Sequence, residues 1–174
     1  MMKRPREPIA SDAAAMARVH VRPWQAAYRG GLMPDEYLES LSIEERTGTW
    51  SQALERPLGP RRARLVSEDG TGAVAGFILV GPAGGDDAAT DGELFAINVD
   101  PEQWGTGLGT ALHNAAMDKL RTHGFDRAVL WVHPGNERAR RFYESRGWQS
   151  DDLERCEEVL GVEVPEVRYS VSLS

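Results

Sequence analysis

Three glycines, at 105, 107 and 109, sit where this 174-residue chain comes closest to declaring a chemistry. They lie in Val99-Asp-Pro-Glu-Gln-Trp-Gly-Thr-Gly-Leu-Gly-Thr110, between an apolar run that reads as a strand and a periodic run that reads as a helix. Glycine has no side chain to shield its amide, so successive N–H groups can turn toward one anion. A helix that begins inside the loop adds about half a positive charge at its N-terminus. The pattern predicts a phosphate cradle built from the backbone of Gly105, Thr106, Gly107, Leu108, Gly109 and Thr110, with no lysine required. The bland alternative is a glycine-rich turn that binds nothing. A triphosphate loop needs Gly-Lys-Ser/Thr, whereas Thr110 follows Gly109 directly. A dinucleotide fingerprint is G-x-G-x-x-G, whereas this spacing is G-x-G-x-G, and several elements precede its strand.

Other chemistries are disfavoured. His20, His113, His123 and His133 are scattered, Cys156 is the single cysteine, and neither H-E-x-x-H nor C-x-x-C occurs. No metal site and no internal disulfide are therefore expected. With 27 acidic against 20 basic residues the net charge is −7, which argues against a general nucleic-acid binder. A local anion site made of amides is compatible with that balance. No stretch of about 18 apolar residues exists, so no membrane span is expected. The opening MMKRPREPIASD has no apolar core behind its basic residues, so a secretory signal is not expected and a cytoplasmic protein is the default.

The elements that must position the loop follow from periodicity and punctuation. Residues 4–9 read as a short first strand, weakened by Pro5 and Pro8. Ser11 and Asp12 are N-caps for an alanine-rich helix that kinks or restarts at Pro23 and stops at Gly30-Gly31. Two more helical stretches follow, one opened by Pro34 and one over about 42–54. RARLVSE, GAVAGFILVG and ELFAINV read as strands, with a hairpin turn at Asp69–Gly72 and a flexible acidic loop over 81–92. Leu108, Leu112, Ala115, Ala116 and Leu120 mark one face of a helix ending at Gly124. RAVLWVH is the next strand, Asn136 caps a short helix ended by Gly147, and VRYSVSL is the last strand. The order predicts an α/β (α+β) fold in one domain, residues 1–174, with a βαβ unit at 93–133.

Two segments carry a family resemblance. VDPEQWGTGLGTAL resembles the acyl-CoA loop of the GNAT N-acetyltransferase superfamily, Gln/Arg-x-x-Gly-x-Gly/Ala, with Gly107 and Gly109 on its two glycines and Trp104 where Gln or Arg is usual. HPGNERARRFYESRGW resembles the superfamily's later Asn-x-x-Ala-x-x-Phe-Tyr-x-x-x-Gly-Phe, through Asn136, Ala139, Phe142, Tyr143, Gly147 and Trp148. The resemblance implies a mostly antiparallel mixed sheet of about six to seven strands, about four flanking helices and a splayed V-shaped cleft. It implies acetyl transfer from acetyl-CoA to the primary amine of a small molecule or peptide, without a metal and without nucleic acid or membrane partners. A non-catalytic acyl-CoA-binding regulatory module is the alternative. Relatives of this kind are often homodimers.

By the same resemblance, backbone groups of Ile97, Asn98 and Val99 pair with the pantetheine arm, and Asn136 contacts it while capping its helix. Glu93 takes the place of a general base, against a solvated strand-end glutamate. Tyr143 takes the place of the acid that faces the thioester sulfur, against a core aromatic. His20, Trp24 and Tyr28 are spaced i, i+4, i+8, so Trp24 and Tyr28 are candidates for an acceptor-pocket wall, against ordinary packing. Arg138, Arg140 and Arg141 read as a solvated helix face with one able to reach a coenzyme phosphate. Asp86, Asp87 and Asp91 read as a solvated loop or as an attractor for a cationic amine.

Overall fold

A computed structural model describes residues 4–85 and 90–174. Five helices, α1 (Ala13–Tyr28), α2 (Asp35–Ser40), α3 (Ile43–Glu55), α4 (Leu108–Thr122) and α5 (Glu137–Glu144), flank six strands. The strands are β1 (Ala63–Glu68), β2 (Val74–Pro82), β3 (Gly92–Val99), β4 (Arg127–Val132), β5 (Gln149–Val159) and β6 (Val162–Ser172). They form one sheet in the order β1-β2-β3-β4-β6-β5. Every pairing is antiparallel except β3 with β4, the pair joined through α4. A parallel pair needs such a crossover, because a tight turn cannot return the chain to the same end.

One face of the sheet packs on α4 and α5, through Ile78, Val80, Leu94, Leu108, Leu112, Leu120, Leu130, Trp148 and Tyr169. The other packs on α1 and α3, through Met16, Val19, Trp50, Val66 and Phe77. Close approach of β2 to α4 requires Gly76: a Cβ there would lie 2.5 Å from Leu108 Cδ2 and 2.9 Å from Leu112 Cδ1. A third, smaller cluster of Met33, Leu38 and Val164 joins α1 and α2 to β6.

Several expectations are corrected. Residues 4–9 make only one bridge, Arg6 with Val66, because Pro5 and Pro8 have no N–H for a longer ladder. Pro23 does not divide α1, which runs continuously to Tyr28. Asp12 does not cap α1 by its side chain; its carboxylate accepts from the Ile9 amide at 2.8 Å and pairs with Arg6. Residues 149–159, between the helix ended by Gly147 and the last strand and not read as a strand from the sequence, form β5, an edge strand exposed along most of its length. Asp86 and Asp87 lie outside the described residues, and Asp91 is paired with Arg127 at 2.6 Å. Among the described residues, no helix is long and apolar enough to cross a membrane, and no group of three or more His, Cys, Asp or Glu is arranged to hold a metal ion.

Candidate active site

A cleft of about 640 Å³ opens where β3 and β4 stop pairing. Their parallel ladder holds only Gly92 with Ala128 and Glu93 with Val129. Just beyond, Leu79 opposes Ala96 and Val80 opposes Leu94, which leaves Phe95 as the extra residue of a bulge. A bulge bends its strand and increases local twist, and here it turns β3 away from β4.

Hydrogen-bond parity decides which backbone groups of β3 face the gap. The Asp100 amide donates to the Ala75 carbonyl. In an antiparallel pair the bonded residues alternate, so Asn98 also directs its backbone to β2. Ile97 and Val99 direct theirs to the open side. Of the expected trio, Ile97 and Val99 thus offer backbone groups to the cleft, whereas Asn98 does not, although its buried residue lines the wall.

At one end of the cleft lies the glycine loop. Gly105 and Gly107 have φ of +78° and +91°, a region L side chains rarely adopt, and they turn the chain sharply into α4. Gly107 is the N-cap and no side chain caps the helix. The first amide of the helix with a backbone acceptor is Ala111, to Gly107. Among the described residues the amides of Gly105, Gly107, Leu108, Gly109 and Thr110 have no acceptor in the fold, whereas Thr106 donates to the Gln103 carbonyl at 3.4 Å. The loop is tied to β3 by Trp104, whose Nε1 donates to the Val99 carbonyl at 2.9 Å and whose ring carries the Arg138 guanidinium at 3.5 Å. That contact accounts for a tryptophan at a position where a longer polar side chain is usual.

The same end is cationic. Arg138, Arg141 and Arg146 line it. Arg146 stacks on Phe142 at 3.6 Å, donates to the Thr110 hydroxyl and leaves a buried Nε unpartnered. Burial pushes the Arg138 and Arg146 guanidiniums down from their ordinary values, so an anion would find them poorly hydrated. Arg140 is instead structural, donating to Tyr169 and the Pro134 carbonyl.

Tyr143 lies on the cleft wall at mid-length, packed against Phe142 and Trp148. Burial, reinforced by nearby Tyr28, pushes its phenol well above the usual range, so it stays protonated. Asn136 caps α5 by accepting from the Ala139 amide at 3.1 Å, and its Nδ2 donates to the Tyr28 hydroxyl at 3.2 Å. Trp24 and Tyr28, their rings 4.9 Å apart, do line the cleft. His20 does not; its ring lies among Trp24, Trp50 and Phe77. Glu93 stands at the apex of the V, where its carboxylate accepts from the Gly84 amide at 3.1 Å, and it is not among the residues lining the cleft.

The far end holds residues that the sequence did not single out. Trp131, His133 and Glu166 face it. The Gly135 amide donates to His133 Nδ1 at 2.9 Å. Burial, opposed by Glu166, holds the imidazole below its ordinary range, so it is neutral with its proton on Nε2. His133 is therefore a donor to the cleft rather than a base. Glu166 accepts from Arg155 Nε at 2.6 Å, and that guanidinium lies 4.3 Å over the Trp131 ring.

Comparison with known proteins agrees with this geometry. The signature of the Acetyltransferase (GNAT) family matches residues 15–148. The N-acetyltransferase YuaI of Bacillus subtilis (strain 168) is 34% identical over 128 residues, 73% of this chain and 69% of that one. Mycothiol acetyltransferase of Beutenbergia cavernae is 42% identical over 112 residues, 64% of this chain but only 33% of that enzyme. Among solved structures, the PaiA N-acetyltransferase of Thermoplasma acidophilum in complex with coenzyme A superposes with a TM-score of 0.75 at 19% identity, covering 99% of both chains. The structure of yncA from Salmonella typhimurium with acetyl-CoA gives 0.72 at 21% identity, covering 100% of this chain and 95% of that one. At such identities the superpositions establish a shared fold.

Proposed function

The chain belongs to the acetyltransferase (GNAT) family, and on that premise we propose that it transfers an acetyl group from acetyl-CoA to the primary amine of a small molecule or peptide, residues 1–174 acting as one domain. The observation that carries this reading is the row of acceptorless amides at the start of α4, opening into the same cleft as Tyr143 and the splayed edge of β3.

The residues present fit the coenzyme. Five amides, the α4 N-terminus and Arg138 and Arg146 suit a diphosphate. The N–H and C=O groups of Ile97 and the N–H of Val99 suit an amide-bearing arm laid along the strand edge, as an added strand would lie. When bound, acetyl-CoA supplies the activated acyl group as a thioester. Tyr143 offers a hydroxyl that stays protonated at every working pH. Burial makes this phenol a weak acid, so in this scheme it hydrogen-bonds the developing thiolate and stabilises its charge, and water returns the proton to the released thiol. Trp24 and Tyr28 wall the acceptor and exclude water. Glu93, at the apex of the cleft, receives the amine proton through water in this scheme.

The test follows free CoA released from acetyl-CoA across an amine panel. Tyr143→Phe is expected to lower kcat by about 10²-fold while leaving acetyl-CoA affinity unchanged. Unchanged rates in Tyr143→Phe or Glu93→Gln remove that residue from the scheme. Tight acetyl-CoA uptake without turnover of any amine would mark the chain as an acyl-CoA-binding module instead.

A further inference from the structure

Resting on that function, we infer that the acceptor is a cationic amine on an apolar body, with no carboxylate beside its amino group, and that Glu166 selects it. The cleft is electrically polarised along its length. At the glycine-loop end, three arginines and a helix N-terminus favour anions. At the far end, Trp24, Tyr28, Met33, Trp131 and His133 surround Glu166, the only carboxylate among the described residues that line the cleft. Among the described residues, the one arginine or lysine at this end is Arg155, which lies behind Trp131 and Glu166 and does not line the cleft.

The protein already displays the recognition such an end provides. Arg155 lies opposite Glu166 on the neighbouring strand, lays its guanidinium over Trp131 at 4.3 Å and donates to Glu166 Oε2 at 2.6 Å. A cation is thus already held here by a tryptophan face with the Glu166 carboxylate beside it. Glu166 Oε1 has no partner among the described residues and is left to receive an ammonium. Arg155 itself is engaged by two carboxylates, Glu166 and Glu157, the latter at 3.4 Å. It therefore offers little to a substrate carboxylate. Burial dominates at both Tyr28 and His133, raising the phenol and lowering the imidazole, and the field of Glu166 acts upward on each. An α-carboxylate placed beside the amine would meet that same negative field with Arg155 as the nearby cation, already shared between Glu166 and Glu157, a juxtaposition that costs affinity. A peptide N-terminus, with an amide in place of the carboxylate, avoids it and can accept from His133 Nε2–H.

The test compares matched acceptors: phenethylamine, phenylalaninamide and phenylalanine, then isoamylamine against leucine, with acetyl-CoA saturating. The amine and the amide are expected to exceed the amino acid in kcat/KM by about 30-fold or more. In Glu166→Gln, the amine's KM is expected to rise about 10-fold or more with kcat less affected, and the amine-to-acid ratio to shrink to a few-fold. A merely structural role would lower all five acceptors together and leave the ratio unchanged. The wild-type ratio needs no variant to fold, and amino acids acetylated as fast as their amines overturn the inference alone. Calorimetry with acetyl-CoA separates the two levels: no uptake by the wild-type chain overturns both this inference and the function beneath it.

Discussion

Replacing Gly105 by asparagine and by aspartate isolates electrostatics at the glycine loop. Gly105 has φ of +78°, and a Cβ added there meets nothing within 4 Å. Asparagine and aspartate are the side chains that best tolerate this left-handed backbone. They have the same shape and differ by one charge, so backbone strain cancels between the two variants. A diphosphate seated on the amides of 105–110 would bring its charge within about 6 Å of the new carboxylate. At an effective dielectric constant of about 20, one pair of like charges at that distance costs about 2–3 kcal/mol. Coenzyme A should therefore bind Gly105→Asp about 30–150-fold more weakly than Gly105→Asn. Isothermal titration calorimetry at two salt concentrations is the assay. Between 50 and 500 mM salt the screening length falls from about 14 to about 4 Å, so the ratio should shrink several-fold. The thermal midpoints of the two variants should agree within about 2 °C if the difference is confined to the ligand. Equal affinities for the two variants would refute the claim that phosphate sits on this loop.

Other outcomes test the packing. Gly48 lies exposed in the interior of α3 with open space around its missing Cβ, so Gly48→Ala should stabilise the chain by about 0.5–1 kcal/mol, read from denaturant midpoints. His20 Nδ1 is buried without a partner, and burial followed by the nearby Arg46 pulls its imidazole down to about 4. Because the folded value lies below the ordinary 6.5, the neutral ring supports the fold above pH 6.5. That support, at most about 3 kcal/mol, is lost as the pH falls toward 4. His20→Phe should flatten the decline in urea midpoint over that interval, and an unchanged decline would show that other groups cause it.

Much of the site was legible because its chemistry is local. Gly105, Gly107 and Gly109 stand together in the chain, and the amides they expose belong to adjacent residues. Asn136 is likewise three residues from the amide it caps. The acceptor end was opaque because it is assembled from distance. Glu166 sits in β6, His133 after β4 and Trp24 in α1, and only the sheet order brings them together. β5 was missed because QSDDLERCEEV has no apolar alternation: as an edge strand it buries almost nothing and is held mainly by its ladder to β6. The role of Asn98 depended on ladder parity, which a one-residue bulge at Phe95 reverses and which composition does not reveal. Trp104 departed from its motif in the sequence, and its hydrogen bond to Val99 and stacking with Arg138 supply the reason.

The central claim is that the open amides before and at the start of α4 receive the coenzyme. Titrating the ¹⁵N-labelled chain with coenzyme A observes those amides one by one. Saturable shifts are expected at Gly105, Gly107, Leu108, Gly109 and Thr110, smaller ones at Ile97 and Val99, and none at Gly30, Gly31 or Gly161. Unmoved loop resonances, or shifts confined to another part of the fold, would contradict it.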